Sequence, residues 1–140
     1  MTRKARLCYY YGMEIDHLTV PVRDYEASRA FYAAALKPLG FELLMDWIQR
    51  RRAYFGVAPA PSSLWLVESD SAGTLELAVT APSVEAVDAF YFAAISARAK
   101  VVGEPSIVAD RSGDYYAARV LDPDGNRLEV VHRIAASVAA

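Results

Sequence analysis

Displaced by 59 positions, the chain falls on itself. His17 meets Glu76, Leu18 meets Leu77 and Val20 meets Val79, while Glu26, Ala27, Ala30, Phe31 and Tyr32 meet Glu85, Ala86, Ala89, Phe90 and Tyr91. One offset that holds across an alternating stretch, a cap and a helical stretch marks a duplicated folding unit. Duplication constrains the fold more than any other feature of this chain, because whatever the first copy builds the second builds again.

Within the first copy, Glu14 to Val22 alternates. Leu18, Val20 and Val22 fall on one face and Ile15, His17 and Thr19 on the other, which predicts a strand. Asp24 follows as a helix N-cap, with Glu26 in the first turn, where a negative charge suits the helix dipole. Ala27, Ala30, Phe31 and Ala34 recur at helical spacing and predict the apolar stripe, until Pro38 and Gly40 end the helix. Three short strands are expected over Phe41–Trp47, Ala53–Val57 and Ser63–Glu68, with a Pro-rich turn over residues 58–62. The second copy repeats the order. A strand runs over Thr74–Thr80, and Ser83 caps a helix whose stripe is Val87, Phe90, Tyr91 and Ala94. Strands follow near Val101–Val108, Tyr115–Leu121 and Arg127–Arg133, the first interrupted by Gly103 and Pro105. The chain therefore reads as α+β: an arm over residues 1–13, a domain over 14–133 built from modules 14–70 and 74–133, and a tail over 134–140.

Size and charge narrow the function. With 140 residues, 54% of them hydrophobic and 23% charged, the chain suits one globular domain. A net charge of -2 with no basic stripe argues against a nucleic-acid partner. No apolar run is long enough to cross a bilayer, and Cys8–Gly12 is too short and polar for a signal-peptide core, so a cytoplasmic protein is expected. The lone Cys8 leaves no internal disulfide framework and no cysteine zinc site. The run Arg50-Arg51-Arg52 reads as a solvated strand end or turn.

The last hairpin, Leu121 to His132, raises a chemical question. Pro123 and Gly125 preset a turn, and Asp122, Asp124 and Asn126 have turn spacing rather than that of a calcium loop. Beyond it, Leu128, Val130 and His132 share one strand face, and Arg127, Glu129 and Val131 share the other. On this alternation His132 caps the edge of the core, and Phe31, Tyr32, Phe90 and Tyr91 on the helical stripes belong to the core. Glu129 is a carboxylate set among β-branched residues, a costly place unless a cation compensates it. A metal ion or an arginine, such as Arg119 or Arg127, would serve.

Three stretches taken together resemble the vicinal oxygen chelate superfamily of glyoxalase I, bleomycin-resistance proteins and extradiol dioxygenases. They are Ile15-Asp16-His17-Leu18-Thr19-Val20, the repeated Ala-Phe-Tyr helices, and Asp122-Pro123-Asp124-Gly125-Asn126-Arg127-Leu128-Glu129, within a resemblance covering residues 13–133. The resemblance implies two βαβββ modules forming a curved, partly open mixed sheet around a concave pocket, with divalent-metal ligands on first and last strands. It also implies a homodimer. Carried over, the metal positions are His17, Glu76 and Glu129, with Glu129 also placed to act as a base; a further glyoxalase ligand position falls on Trp65, whose indole cannot replace a carboxylate. The mixed nitrogen and oxygen set suits manganese, iron or magnesium, with nickel or zinc also conceivable. Trp65, Tyr115, Tyr116 and Arg119 are the expected pocket lining. Two functions follow from the resemblance. One is a metal-dependent lyase, isomerase or dioxygenase acting on a small bidentate oxygen substrate. The other is a non-catalytic protein that sequesters a small molecule, its acids neutralising a cationic ligand directly.

Overall fold

The computed structural model describes residues 15–60, 63–70, 73–109 and 113–134. The arm over 1–13 and nearly all of the tail over 134–140 lie outside them. The first module is β1 (Leu18–Val22), α1 (Tyr25–Ala35), a 3-10 turn (Lys37–Leu39), β2 (Glu42–Trp47), a second such turn (Ile48–Arg50), β3 (Arg52–Gly56) and β4 (Leu64–Glu68). The second is β5 (Glu76–Thr80), α2 (Val84–Ser96), β6 (Lys100–Val108), β7 (Tyr115–Leu121) and β8 (Arg127–Arg133).

Each module makes a four-stranded mixed sheet, ordered β1-β4-β3-β2 and β5-β8-β7-β6. In both, the first strand runs parallel to the last and the remaining pairs are antiparallel. The duplication read from the letters is thus repeated in the ladders: Leu18 pairs with Leu64, and its counterpart Leu77 pairs with Leu128. The outer ladders are the irregular ones. Register shifts fall between Leu43 and Met45 in β2, and on both sides of Gly103 in β6, where Gly and Pro105 interrupt the pairing.

Both helices begin where their caps predict. The Asp24 side chain accepts from the Ala27 N–H and the Ser83 hydroxyl from the Ala86 N–H, each at 3.1 Å. The stripe of α2 packs as expected, burying Val87, Phe90, Tyr91 and Ala94. That of α1 does not: Tyr25, Ser28, Phe31, Tyr32 and Ala35 are buried, while Ala27, Ala30 and Ala34 face outward. Large rings decide the rotation. Burying a tyrosine ring removes far more apolar area from water than burying a methyl, and alanines are cheap to leave outside. One core cluster then gathers Val20, Val22, Phe55 and Leu66 with Val87, Phe90, Leu128 and Val130, drawing on both modules.

The turn between β7 and β8 ties the modules together. Asp122 is buried, and its carboxylate accepts from the N–H groups of Asp124 and Asn126, from the Asn126 side chain at 2.8 Å, and from the Tyr32 hydroxyl at 2.5 Å. Asp124 accepts from the Arg23 N–H and the Ser28 hydroxyl at the start of α1. Asn126 Oδ1 accepts from the Leu75 N–H and holds the entry to β5. Gly125 sits at φ +86°, where a residue with a Cβ is strained. A stretch legible as a turn is therefore also a clamp, closed from the first module by α1.

Candidate functional site

The helices cover one face of each sheet, and the ladders fix what the other, open face carries. Paired residues share a face. In the first sheet one row across the open face is Thr19–Trp65–Tyr54–Met45. The equivalent row in the second is Ala78–Glu129–Arg119–Gly103. Trp65 and Glu129 therefore hold the same place in two copies of one unit, as do Tyr54 and Arg119. One sheet presents aromatic rings; its duplicate presents an ion pair.

The aromatic row extends onto the lead into β1. The His17 ring stacks on Trp65, with centroids 3.8 Å apart and planes at 13°, and Tyr54 leans on the same indole at 5.0 Å. His17 Nδ1 lies 2.6 Å from Asp16, a side chain that is 92% exposed. In the polar row, an Arg119 guanidinium nitrogen lies 3.3 Å from the Glu129 carboxylate, whose side chain is only 13% exposed. Glu76 is largely exposed and lies 3.6 Å from Arg127, its ladder neighbour. Each acid thus has its own guanidinium.

A metal needs its donors within one coordination sphere. Among the described residues no three His, Cys, Asp or Glu side chains come close enough together to hold an ion. Alternation selects faces for His17, Glu76 and Glu129 without bringing the three together. The donor set carried over from the resemblance does not fit a metal in this arrangement.

Of the other pocket residues, Tyr115 and Arg119 share the open face, and the Arg133 guanidinium lies 4.9 Å from the Tyr115 ring. Tyr116 is a correction. It packs against the core, and its hydroxyl donates to Asp88 on α2 at 2.6 Å, which holds its pKa above the usual phenol range. Consecutive strand residues point oppositely, so Tyr115 and Tyr116 cannot both line one pocket. Two residues on the open face were not legible as such: Tyr54, and Gly103 beside the Arg119 guanidinium. The signal for both lies in register, which the sequence does not state.

Two further features lie off this face. An apolar cavity of about 210 Å³ opens at the seam between β1 and β5, lined by Leu18, Leu36, Phe41, Leu64, Leu77 and Val79. It is smaller than the roughly 300–1,000 Å³ of ordinary ligand pockets. Under α1, the Tyr25 hydroxyl and the Arg29 guanidinium both reach the Asp46 carboxylate, and Tyr25 also lies 2.9 Å from the Arg52 carbonyl. The Tyr25 hydrogen bond, helped by Arg29 and opposed by burial, holds the Asp46 carboxyl below the usual carboxylate range. These groups brace β2 against the helix.

Residues 14–130 match the family model of the Glyoxalase/Bleomycin resistance protein/Dioxygenase superfamily. Among solved structures, the chain is similar to a glyoxalase/bleomycin resistance protein from Albidiferax ferrireducens T118, at 29% identity and a TM-score of 0.73, covering 84% of this chain and 98% of that one. It is similar in fold to a glyoxalase/bleomycin resistance protein/dioxygenase family enzyme from Burkholderia phytofirmans PsJN, at 20% identity and a TM-score of 0.64, covering 87% and 100%. An integron cassette protein from the mobile metagenome of V. Cholerae shares the fold at 19% identity and a TM-score of 0.64, covering 86% and 94%. No curated protein matches significantly. No helix among the described residues is long and apolar enough to cross a membrane.

Proposed function

The chain belongs to the Glyoxalase/Bleomycin resistance protein/Dioxygenase superfamily, and from that membership we propose that it binds a small, flat, ring-bearing molecule on the open faces of its sheets, without metal chemistry. The observation that carries this reading is the stack of His17 on Trp65, flanked by Tyr54, in the row whose duplicate is the neutralised pair Glu129–Arg119. An imidazole lying flat on an indole occupies the place a planar ligand would take. It is held there by one short hydrogen bond to an exposed aspartate, so a better-matched ring can replace it. Glu129, bound to Arg119, is a fixed counter-charge in this reading, not a base.

The test is a calorimetric titration with naphthalene derivatives, alongside metal analysis of protein purified without chelator. Trp65→Ala is expected to weaken binding by about tenfold or more, the range of one lost ring–ring contact plus its buried area. His17→Ala should leave binding within about threefold, since the imidazole only holds the place. One divalent ion per chain, lost in Glu129→Ala, would overturn the reading in favour of a metal-dependent enzyme.

The reading extends to a homodimer. β2 is an edge strand whose Leu43, Leu44, Met45 and Trp47 are exposed, an arrangement that invites a second copy of the strand. Sedimentation should show a dimer that Leu44→Lys converts to monomer; wild-type monomer at assay concentrations would refute this extension alone.

A further inference from the structure

A cleft outside the open-face rows holds two cations that the fold does not pair. It has a volume of about 360 Å³ and is lined by Arg98, Lys100 and the turn over residues 121–125. Its charges are two of each sign, yet only the positive pair faces a ligand unengaged. The Asp122 carboxylate is buried under four donors, and the Asp124 oxygens are turned toward α1 by the Arg23 N–H and the Ser28 hydroxyl. Arg98 and Lys100 are exposed, and neither side chain has a hydrogen-bond or ion-pair partner among the described residues.

Duplication supplies the comparison. Arg98 takes the place of Gly40: each is left-handed, at φ +68° and +83°, and each N–H closes onto the carbonyl three residues back while the next N–H reaches five back. Two residues on, the outer strand opens with Glu42 in the first copy and Lys100 in the second. One turn is thus built with glycine and an acid, its duplicate with two cations. Glycine suits a positive φ, whereas a residue with a Cβ holds it against a steric cost. The negative end of α2 favours a cation nearby, but it requires neither the left-handed position nor Lys100, which lies on a strand. A side chain kept against its backbone preference points to a task.

We propose that this cleft binds a phosphoryl group, free or as an ester of a small molecule, with the Arg98 fork taking two oxygens and the Lys100 ammonium a third. Paired planar donors and a compact charge together match a tetrahedral oxyanion better than a carboxylate, which has only two oxygens. The volume falls within the roughly 300–1,000 Å³ of ligand pockets and leaves room beside Leu121 and Pro123 for the rest of an ester. The site shares no residue with the aromatic and polar rows, so it stands or falls apart from the binding reading above.

Calorimetric titration of the full-length protein at fixed ionic strength tests it, with glycerol 3-phosphate, inorganic phosphate, acetate and glycerol as probes. Phosphate should bind about tenfold or more tightly than acetate, and glycerol should not bind. An ester tighter than phosphate assigns the site to an ester; an ester of equal or lower affinity assigns it to free phosphate, and the phosphoryl class holds in both cases. Arg98→Gly should weaken phosphate about tenfold or more, yet leave Tm unchanged or raise it by about 2–4 °C, because glycine is what the duplicate turn carries. Lys100→Glu, which copies the duplicate strand, should weaken phosphate at least as much without touching the turn. Lys37→Gln, an exposed lysine outside the cleft, should leave binding within about twofold. Acetate bound as tightly as phosphate, or phosphate affinity retained in both cleft variants, would overturn the proposal. So would an equal loss in Lys37→Gln, which marks a response to net charge alone.

Discussion

Tyr32→Phe removes one oxygen and tests how the two modules are joined. The Tyr32 hydroxyl donates to a buried carboxylate, Asp122, at 2.5 Å, and it is the donor by which the first module reaches that group. A hydrogen bond to a charged acceptor contributes about 1.5–3 kcal/mol, and the ring itself stays packed in the phenylalanine variant. The substitution should therefore cost about 1.5–3 kcal/mol, a fall in Tm of roughly 5–12 °C for a domain of this size. Asp122→Ala strips four hydrogen bonds and orphans buried donors, so it should cost more, on the order of 4 kcal/mol. Both are measured by urea unfolding, and the double variant closes a cycle with a coupling of about 1–2 kcal/mol. The pH axis adds a second reading. Burial, then the charge of Asp122 and its hydrogen bond, push the Tyr32 phenol above its ordinary range. A raised pKa means that this contribution is constant below about pH 10 and is lost as pH rises beyond it, where the unfolded tyrosine ionises first. Tyr32→Phe should thus lose less stability than wild type between about pH 9 and 11. A cost under about 0.5 kcal/mol at neutral pH, with no coupling to Asp122, would refute the clamp.

Three other substitutions follow from local physics. Asp46→Asn should destabilise at pH 7, and the gap to wild type should close only as pH falls below about 4, because a depressed carboxyl stays ionised in the folded state after the unfolded one has taken its proton; a gap independent of pH would refute the assignment. Gly125→Ala should cost about 1–2 kcal/mol from the positive φ alone, since its Cβ would meet only Thr74 Cγ2 at 3.9 Å. Ser83→Ala should cost about 1 kcal/mol through loss of the α2 cap, read as a Tm shift with an unchanged urea m-value.

The parts of this fold that were legible are those dictated by neighbours in sequence. β7 and β8 run over the residues their alternation marks, and both helix caps fall where short polar residues precede the apolar runs. Legibility fails where size or register decides. Helical spacing alone cannot say whether Ala27 or Ser28 turns inward; the rings of Tyr25 and Tyr32 settle it. Parity alone separates Tyr115, which matches Arg119, from Tyr116, which matches Val120. What no local rule supplies is which strands lie side by side. Without the pairing of Glu129 with Arg119, and of Arg119 with Gly103, the acid could equally be read as a metal ligand.

Duplication also allows the two rows to be interchanged as an experiment. Trp65 and Glu129 are equivalent by register, as are Tyr54 and Arg119, so Glu129→Trp/Arg119→Tyr gives the second sheet the side chains of the first. None of the four belongs to the buried core, whose members come from the helix-facing rows. Removing both partners of an ion pair together leaves no orphaned charge, and such replacements by apolar side chains are often neutral or stabilising. The symmetrised protein should therefore fold with a Tm within about 5 °C of wild type. Its affinity for an uncharged ring such as 1-naphthamide should stay or rise, because the second sheet gains rings of its own. Loss of the fold would mean that the polar row supports the sheet; a fall in affinity for the uncharged ring would mean that Glu129 and Arg119 themselves take part in binding.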